Sequence, residues 1–269
     1  MEPWSWASVW QRSRRNWHWP LLPPPRVALQ GQDEAEQPGQ FPFRNYQITL
    51  DRETLSLGPL YLEGLFDHLI AHYIFCPRSL DEAALLARSA LEGLKSPDPD
   101  RARGLVNIFS DIVVDSLRLE KSSEDREKVL LGWRRLAEQS DLEELDRVVL
   151  GLLRNYWEAD LRFSDRPEVA LLERIFSAGF RERSLWPRQC RQMARILEPL
   201  LPGILGQGPV RCQEILNGCA DAAPLAGAEN LEPGQYTRVL AALGLEGDLV
   251  RWYRDQSYSI TIREAPRSR

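Results

Sequence analysis

The chain has 269 residues, a formal net charge of -5 and 43% hydrophobic residues, which suits one or two ordinary globular domains. The acidic balance excludes a global attraction to nucleic acid or anionic membranes, so we expect no nucleic-acid partner. No run reaches the roughly 18 apolar residues of a membrane span, no signal peptide opens the chain, and four cysteines without a CxxC pair are too few for a disulfide scaffold. Together these features predict a cytoplasmic protein without a transmembrane segment.

Residues 1–40 differ from the rest and are predicted to form an extension. The segment holds five of the nine tryptophans, several arginines and a group of prolines between Pro20 and Pro25. This composition indicates no hydrophobic core of its own. Two interpretations stay open: a disordered or loosely packed tail, or a segment that docks on a partner, on the protein's own domain or at a membrane surface, because tryptophan is enriched at binding hot spots.

Residues 41–269 are predicted to form one mainly helical domain, an α+β variant of a mainly α fold with a small β-hairpin at its start. The hairpin is expected between Asn45 and Gly58, where apolar residues alternate. Helices are predicted, in chain order, at Leu60–Cys76, Ser79–Leu94, Asp98–Leu119, Ser122–Gln139, Asp141–Asp160, Pro167–Gly179, Pro187–Leu200, Val210–Gly218, Pro233–Leu243 and Gly247–Gln256. An edge strand is expected to follow at Tyr258–Ile262.

The first predicted helix of this domain carries two of the three histidines, His68 and His72. The i, i+4 spacing places both imidazoles on one helix face, with their Cβ atoms about 5–6 Å apart. Zincins hold a metal with two histidines in this arrangement. Apolar residues surround the pair, so we expect a buried helix, and buried imidazoles need hydrogen-bond partners or a metal. The alternative is a pair of core histidines satisfied by hydrogen bonds.

A third metal ligand is predicted on the helix Asp98–Leu119, where Asn107, Asp111 and Asp115 form one polar stripe at i, i+4 and i+8. Asp111, at the centre, would complete a three-ligand zinc site with one open position. Asn107 and Asp115 would orient the ligands through hydrogen bonds. The alternative is that the stripe is only the solvated edge of an amphipathic helix.

Together, the two segments resemble the zincin-like metallopeptidase domain that occurs beside MoxR-type AAA+ ATPases and von Willebrand A proteins. That domain has a His-Glu-x-x-His helix, often followed by Tyr and a Pro-containing turn, and then a helix with Asn and Asp. The matching residues here are His68, His72, Tyr73, Pro77, Asn107 and Asp111, within approximately residues 45 to 120. The resemblance implies a zincin-like helical domain, a zinc cofactor, a supporting position for Tyr73, and an AAA+ ATPase or von Willebrand A protein as partner.

The chain departs from this pattern at the residue after the first histidine, where Leu69 replaces the Glu that activates the metal-bound water. Asp67 points elsewhere around the helix, and Ala71 excludes the inverted motif. We therefore predict a metallopeptidase-like metal site that lacks the usual base and acts as a structural or regulatory component with a partner protein. Two alternatives stay open: a helical interaction scaffold without metal, and an active zinc hydrolase whose base comes from elsewhere.

Overall fold

The computed structural model describes residues 4–17, 26–27, 49–50, 56–77, 80–138, 142–161 and 166–201, and the fold is given for these ranges. They form eight α-helices: α1 (Trp6–Asn16), α2 (Pro59–Ile74), α3 (Leu80–Gly93), α4 (Pro99–Leu119), α5 (Ser123–Ala137), α6 (Glu144–Tyr156), α7 (Pro167–Phe176) and α8 (Trp186–Leu197). Short 3₁₀ turns lie at Arg183–Leu185 and Glu198–Leu200. The strands β1 (Arg26–Val27) and β2 (Thr49–Leu50) pair in parallel.

The mainly helical fold class is confirmed. Each helix predicted between residues 60 and 200 is present, to within about one turn at its ends. Most of the predicted hairpin lies outside the described residues, and its Thr49–Leu50 portion pairs with the distant Arg26–Val27. The three helices predicted after residue 201 and the strand at Tyr258–Ile262 also lie outside the described residues.

Local signals in the sequence explain where several helices begin. Proline occupies a first-turn position of α2, α7 and α8, where its missing N–H costs nothing. The Ser122 hydroxyl caps α5 by accepting from the Asp125 amide. Asp146 accepts from the Glu143 amide at the start of α6, as in the second half of a capping box.

Helix α4 occupies the centre of the bundle and packs against α2, α3, α5 and α8, while α2 also packs against α1 and α5. An aromatic cluster fills the core between the central and C-terminal helices. Its members are Phe109, Phe176, Phe180 and Trp186. In the part of the chain that the structure covers, no helix is both long enough and apolar enough to cross a membrane.

Helix α1 belongs to the predicted extension, and it docks on the protein's own domain. Val9 and Trp10 are fully buried, and Trp17 just after the helix is 8% exposed. Trp10 meets Phe66 of α2 edge to face with ring centroids 5.0 Å apart. Of the interpretations left open by the sequence, own-domain docking therefore describes residues 4–17. The sequence pattern did not predict this helix.

Candidate metal centre

His68 and His72 from α2 and Asp111 from α4 lie together in the core, exposed by only 2%, 1% and 4% respectively. The Nε2 atoms of the two histidines are 3.0 Å apart. Asp111 Oδ1 lies 3.1 Å from His72 Nε2 and 3.4 Å from His68 Nε2. Three potential ligand atoms on two packed helices thus form one small triangle.

The hydrogen bonds of the two Nδ1 atoms decide which nitrogen of each ring faces this triangle. His72 Nδ1 lies 2.9 Å from the carbonyl oxygen of Cys76, and a carbonyl oxygen only accepts, so this nitrogen carries the proton and donates. His68 Nδ1 lies 2.8 Å from Asp115 Oδ1 and donates to that carboxylate. In the neutral rings both Nε2 atoms consequently carry lone pairs.

The lone pairs of two imidazoles and one carboxylate therefore converge on one point. Acceptors at such distances repel one another unless a proton or a cation lies between them. A zinc ion with bonds of about 2.0–2.1 Å separates tetrahedral ligands by about 3.3 Å, close to the 3.0, 3.1 and 3.4 Å found here. The buried group of His68, His72 and Asp111 could hold a metal ion. Without one, a second proton on one imidazole would have to relieve the repulsion.

Asp115 binds the Nδ1 side of the His68 ring, opposite the proposed metal position, and accepts hydrogen bonds from two further donors. Its Oδ1 also accepts from Arg118 Nη1 at 2.7 Å, and its Oδ2 accepts from Trp133 Nε1 at 2.8 Å. Burial by itself raises the pKa of Asp115. The positive charge that His68 carries when it is protonated, the charge of Arg118, and the hydrogen bonds from His68 and Trp133 outweigh that effect, so the pKa lies well below its ordinary value. The ionised carboxylate then fixes the His68 ring, as carboxylates behind metal-binding histidines do.

The polar stripe on α4 is not a solvated helix edge, because Asn107, Asp111 and Asp115 are exposed by 4%, 4% and 2%. Asp111 and Asp115 reach the histidines. The hydrogen bonds found between described side chains and the imidazoles do not involve Asn107, whose predicted supporting role stays a prediction. The side chain of Tyr73 lies outside the described residues.

Three groups of the site were missed by sequence reasoning: Arg118, Trp133 and the Cys76 carbonyl. Arg118 lies three residues after Asp115, a helical spacing that brings side chains together, and could have been found. Its Nη2 also donates to the Gly64 carbonyl at 3.1 Å and so ties α4 to α2. Trp133 comes from α5, and no local pattern indicates its contact.

The two carboxylates of α2 lie on a neighbouring face of the helix and pair with Lys128. Lys128 of α5 lies 2.7 Å from Glu63 Oε1 and 3.3 Å from Asp67 Oδ2. Burial raises the pKa of Asp67 even though Arg118 and Lys128 oppose that effect. Burial lowers the pKa of Lys128, but its bonds to Glu63 and Glu124 outweigh this and raise the pKa above its ordinary value. Leu69, at the position of the expected general base, is 3% exposed.

A pocket of about 30 Å³ lies between α2, α4 and α5. It is lined by Tyr61, Gly64, Leu65, His68, Asp115, Arg118, Lys128, Val129, Gly132, Trp133 and Leu136. The lining includes His68 and its supporting groups, but neither His72 nor Asp111. The pocket therefore reaches His68 and the two groups, Asp115 and Trp133, that fix its orientation.

No protein-family model matches the chain, and no significant match exists among curated proteins or solved structures. The resemblance to a zincin-like metallopeptidase domain accordingly stays a prediction. Function is therefore inferred from the geometry of the site.

Proposed function

We propose that this chain is a metal-binding protein in which His68, His72 and Asp111 hold a divalent transition metal. Two imidazoles and one carboxylate form a donor set that suits zinc. The observation that carries the proposal is the convergence of His68 Nε2, His72 Nε2 and Asp111 Oδ1, with both Nδ1 atoms engaged elsewhere. This arrangement leaves the correct nitrogen of each ring for a metal.

The centre serves a structural or regulatory role rather than hydrolysis. A hydrolytic zinc site needs a general base beside the metal-bound water, and the residue at the usual position is Leu69. Glu63 and Asp67, the acidic residues of α2, are paired with Lys128 on another face of the helix. The pocket beside His68 is lined by neither His72 nor Asp111. These three observations support a metal that joins elements of the fold.

The metal would tie α2 to α4 within the core. The ligands come from both helices, and Arg118 joins the same two helices a short distance away through its bond to the Gly64 carbonyl. A metal that binds only the folded chain adds its binding free energy to the free energy of unfolding. Occupancy would thereby control how firmly α2 is held.

Metal analysis of the purified full-length protein tests the proposal. Wild type is saturated with zinc, desalted, and its metal content is measured by mass spectrometry beside His72→Ala and His18→Ala. His18 is the third histidine and is not one of the proposed ligands, so His18→Ala is the matched control. We expect one zinc per chain in wild type and in the control, and none in His72→Ala. Wild type without zinc, or His72→Ala with a full equivalent, would overturn the proposal.

The non-hydrolytic role has its own test. Zinc-loaded and chelator-treated protein are incubated with unfolded casein and with a fluorogenic peptide library. We expect equal, background rates in both preparations. Zinc-dependent cleavage that disappears in His72→Ala would contradict a structural role while leaving the metal site intact.

A further inference from the structure

Helix α2 carries a second buried polar network, on a face next to the one that bears the histidines. Asp67 immediately precedes His68, so the two side chains point about 100° apart around the helix. Asp67 Oδ1 accepts a hydrogen bond from Trp17 Nε1 at 2.9 Å. Four residues earlier, Glu63 Oε2 lies 2.8 Å from Arg12 Nε. Arg12 belongs to α1 and Trp17 follows its C-terminal end. The N-terminal segment therefore binds, through two polar contacts, the helix that supplies two of the proposed metal ligands.

Trp17 contacts residues next to His68 and next to Cys76. Besides its bond to Asp67, its ring meets Phe75 edge to face with centroids 5.8 Å apart. Phe75 directly precedes Cys76, whose carbonyl fixes the His72 ring. The Lys121 ammonium, just beyond the end of α4, lies 3.7 Å from the centre of a Trp17 ring. Trp17 therefore bridges α2 and the end of α4, the two helices that a metal would join.

The docking of α1 depends on the surface that α2 presents. An 11-residue helix is marginal on its own in water, so α1 gains its order from packing. Trp10 Nε1 is buried without an acceptor among the described residues, and such an orphan donor opposes docking. A modest shift of α2 would therefore change how firmly α1 is held.

We propose that metal occupancy and docking of α1 are coupled through α2, with Trp17 as the positioning residue. This inference rests on the proposed metal site. Bound metal holds α2 against α4 and so keeps Asp67, Phe75 and Lys121 arranged around the Trp17 ring. Linkage is reciprocal: if metal favours docked α1, then docked α1 must favour metal to the same extent. The N-terminal segment would thus report on the metal centre and tune its affinity.

Proteolysis of the full-length protein tests one direction of this coupling. Arg12, Arg14 and Arg15 are trypsin sites within α1, and cleavage of a docked helix requires local opening. Zinc-loaded and chelator-treated wild type are pulsed with trypsin, and the products cut after these arginines are quantified by mass spectrometry. We expect the zinc-loaded protein to be cut in α1 at least about fivefold more slowly, a typical size for such coupling.

Zinc affinity tests the other direction. Trp17→Phe keeps an aromatic ring but removes the N–H that binds Asp67, and Trp4→Phe makes the same change at a residue that is 43% exposed. Competition with a chromophoric chelator should show zinc binding weakened about fivefold or more in Trp17→Phe and unchanged in Trp4→Phe. Circular dichroism checks that both variants fold, and the proteolysis of wild type needs no variant.

The outcomes separate the two proposals. Failure of wild type to bind zinc would overturn the metal site and the coupling with it. A second outcome would overturn the coupling alone: wild type binds one zinc, the rate of cleavage in α1 is the same with and without zinc, and Trp17→Phe binds zinc as tightly as Trp4→Phe. The proposed metal site would then stand.

Discussion

Asp115 Oδ1 lies 2.8 Å from His68 Nδ1, and this contact turns the other nitrogen of the ring toward Asp111. The same carboxylate takes hydrogen bonds from Arg118 and Trp133. A group with three donors around it cannot rotate freely, so the direction of the His68 lone pair is set by helices α4 and α5 together. The orientation of one proposed ligand thus depends on residues that never touch the metal.

Asp115→Asn should weaken zinc binding about 10- to 100-fold, the usual range for supporting groups behind a ligand. The amide keeps the size of the side chain but loses the charge that fixes the His68 tautomer. Chelator competition measures the change, with the exposed Asp160→Asn as the control. An affinity equal to that of wild type would show that the charge of Asp115 is not needed to hold the His68 ring.

The depressed pKa of Asp115 predicts a pH dependence in the metal-free protein. Because the folded-state pKa lies below that of the unfolded chain, the carboxylate contributes stability above about pH 4, and that contribution is lost as the pH falls further. We expect the free energy of unfolding, from urea titrations between about pH 6 and pH 3, to fall more steeply for wild type than for Asp115→Asn. Parallel curves would contradict the assignment of the shift.

The sequence predicts which site residues share a helix face, but it does not predict the contacts between helices that bring them together. His68 with His72 and Asp111 with Asp115 are pairs at i, i+4, so the helix itself decides that each pair shares a face. The two pairs meet only because α2 packs on α4. The sequence indicates this packing only through the apolar residues that surround each pair. Trp133 and Trp17 reach the site from α5 and α1, and such contacts depend on how helices pack.

The helices, too, divide into those that the sequence predicts and one that depends on contacts with another helix. Helix ends followed Pro, Ser and acidic signals within the chain, so their bounds were predicted to about one turn. Helix α1 was missed because polar residues, arginine above all, outnumber apolar ones within it. Contacts with Phe66, Glu63 and Asp67 of α2 hold it in place. These residues lie outside residues 1–40, so the composition of that segment alone could not predict the helix.

Removal of the metal should lower the midpoint of thermal unfolding. A ligand present at about 100 times its dissociation constant adds about 2.7 kcal/mol to the free energy of unfolding. Scanning calorimetry of zinc-loaded and chelator-treated protein should therefore give a midpoint higher by several degrees with zinc. His72→Ala serves as the control and should unfold at the same temperature with and without zinc. An equal zinc effect in that variant would place the stabilising ion elsewhere.

Two glycines should respond in opposite ways to alanine. At Gly132 of α5 an added Cβ meets nothing within 4 Å, so Gly132→Ala should raise the free energy of unfolding by about 0.5–1 kcal/mol through the reduced entropy of the unfolded chain.

At Gly93, where α3 crosses α8, the added Cβ would lie 2.5 Å from the Arg191 carbonyl oxygen and 2.7 Å from Ala194 Cβ. The helices must separate to admit it, so Gly93→Ala should lower the free energy of unfolding by about 1–3 kcal/mol. Urea denaturation measures both changes, and because neither residue touches the proposed ligands, zinc stoichiometry should stay at one per chain. A stable Gly93→Ala would mean that α3 and α8 do not approach as closely as described.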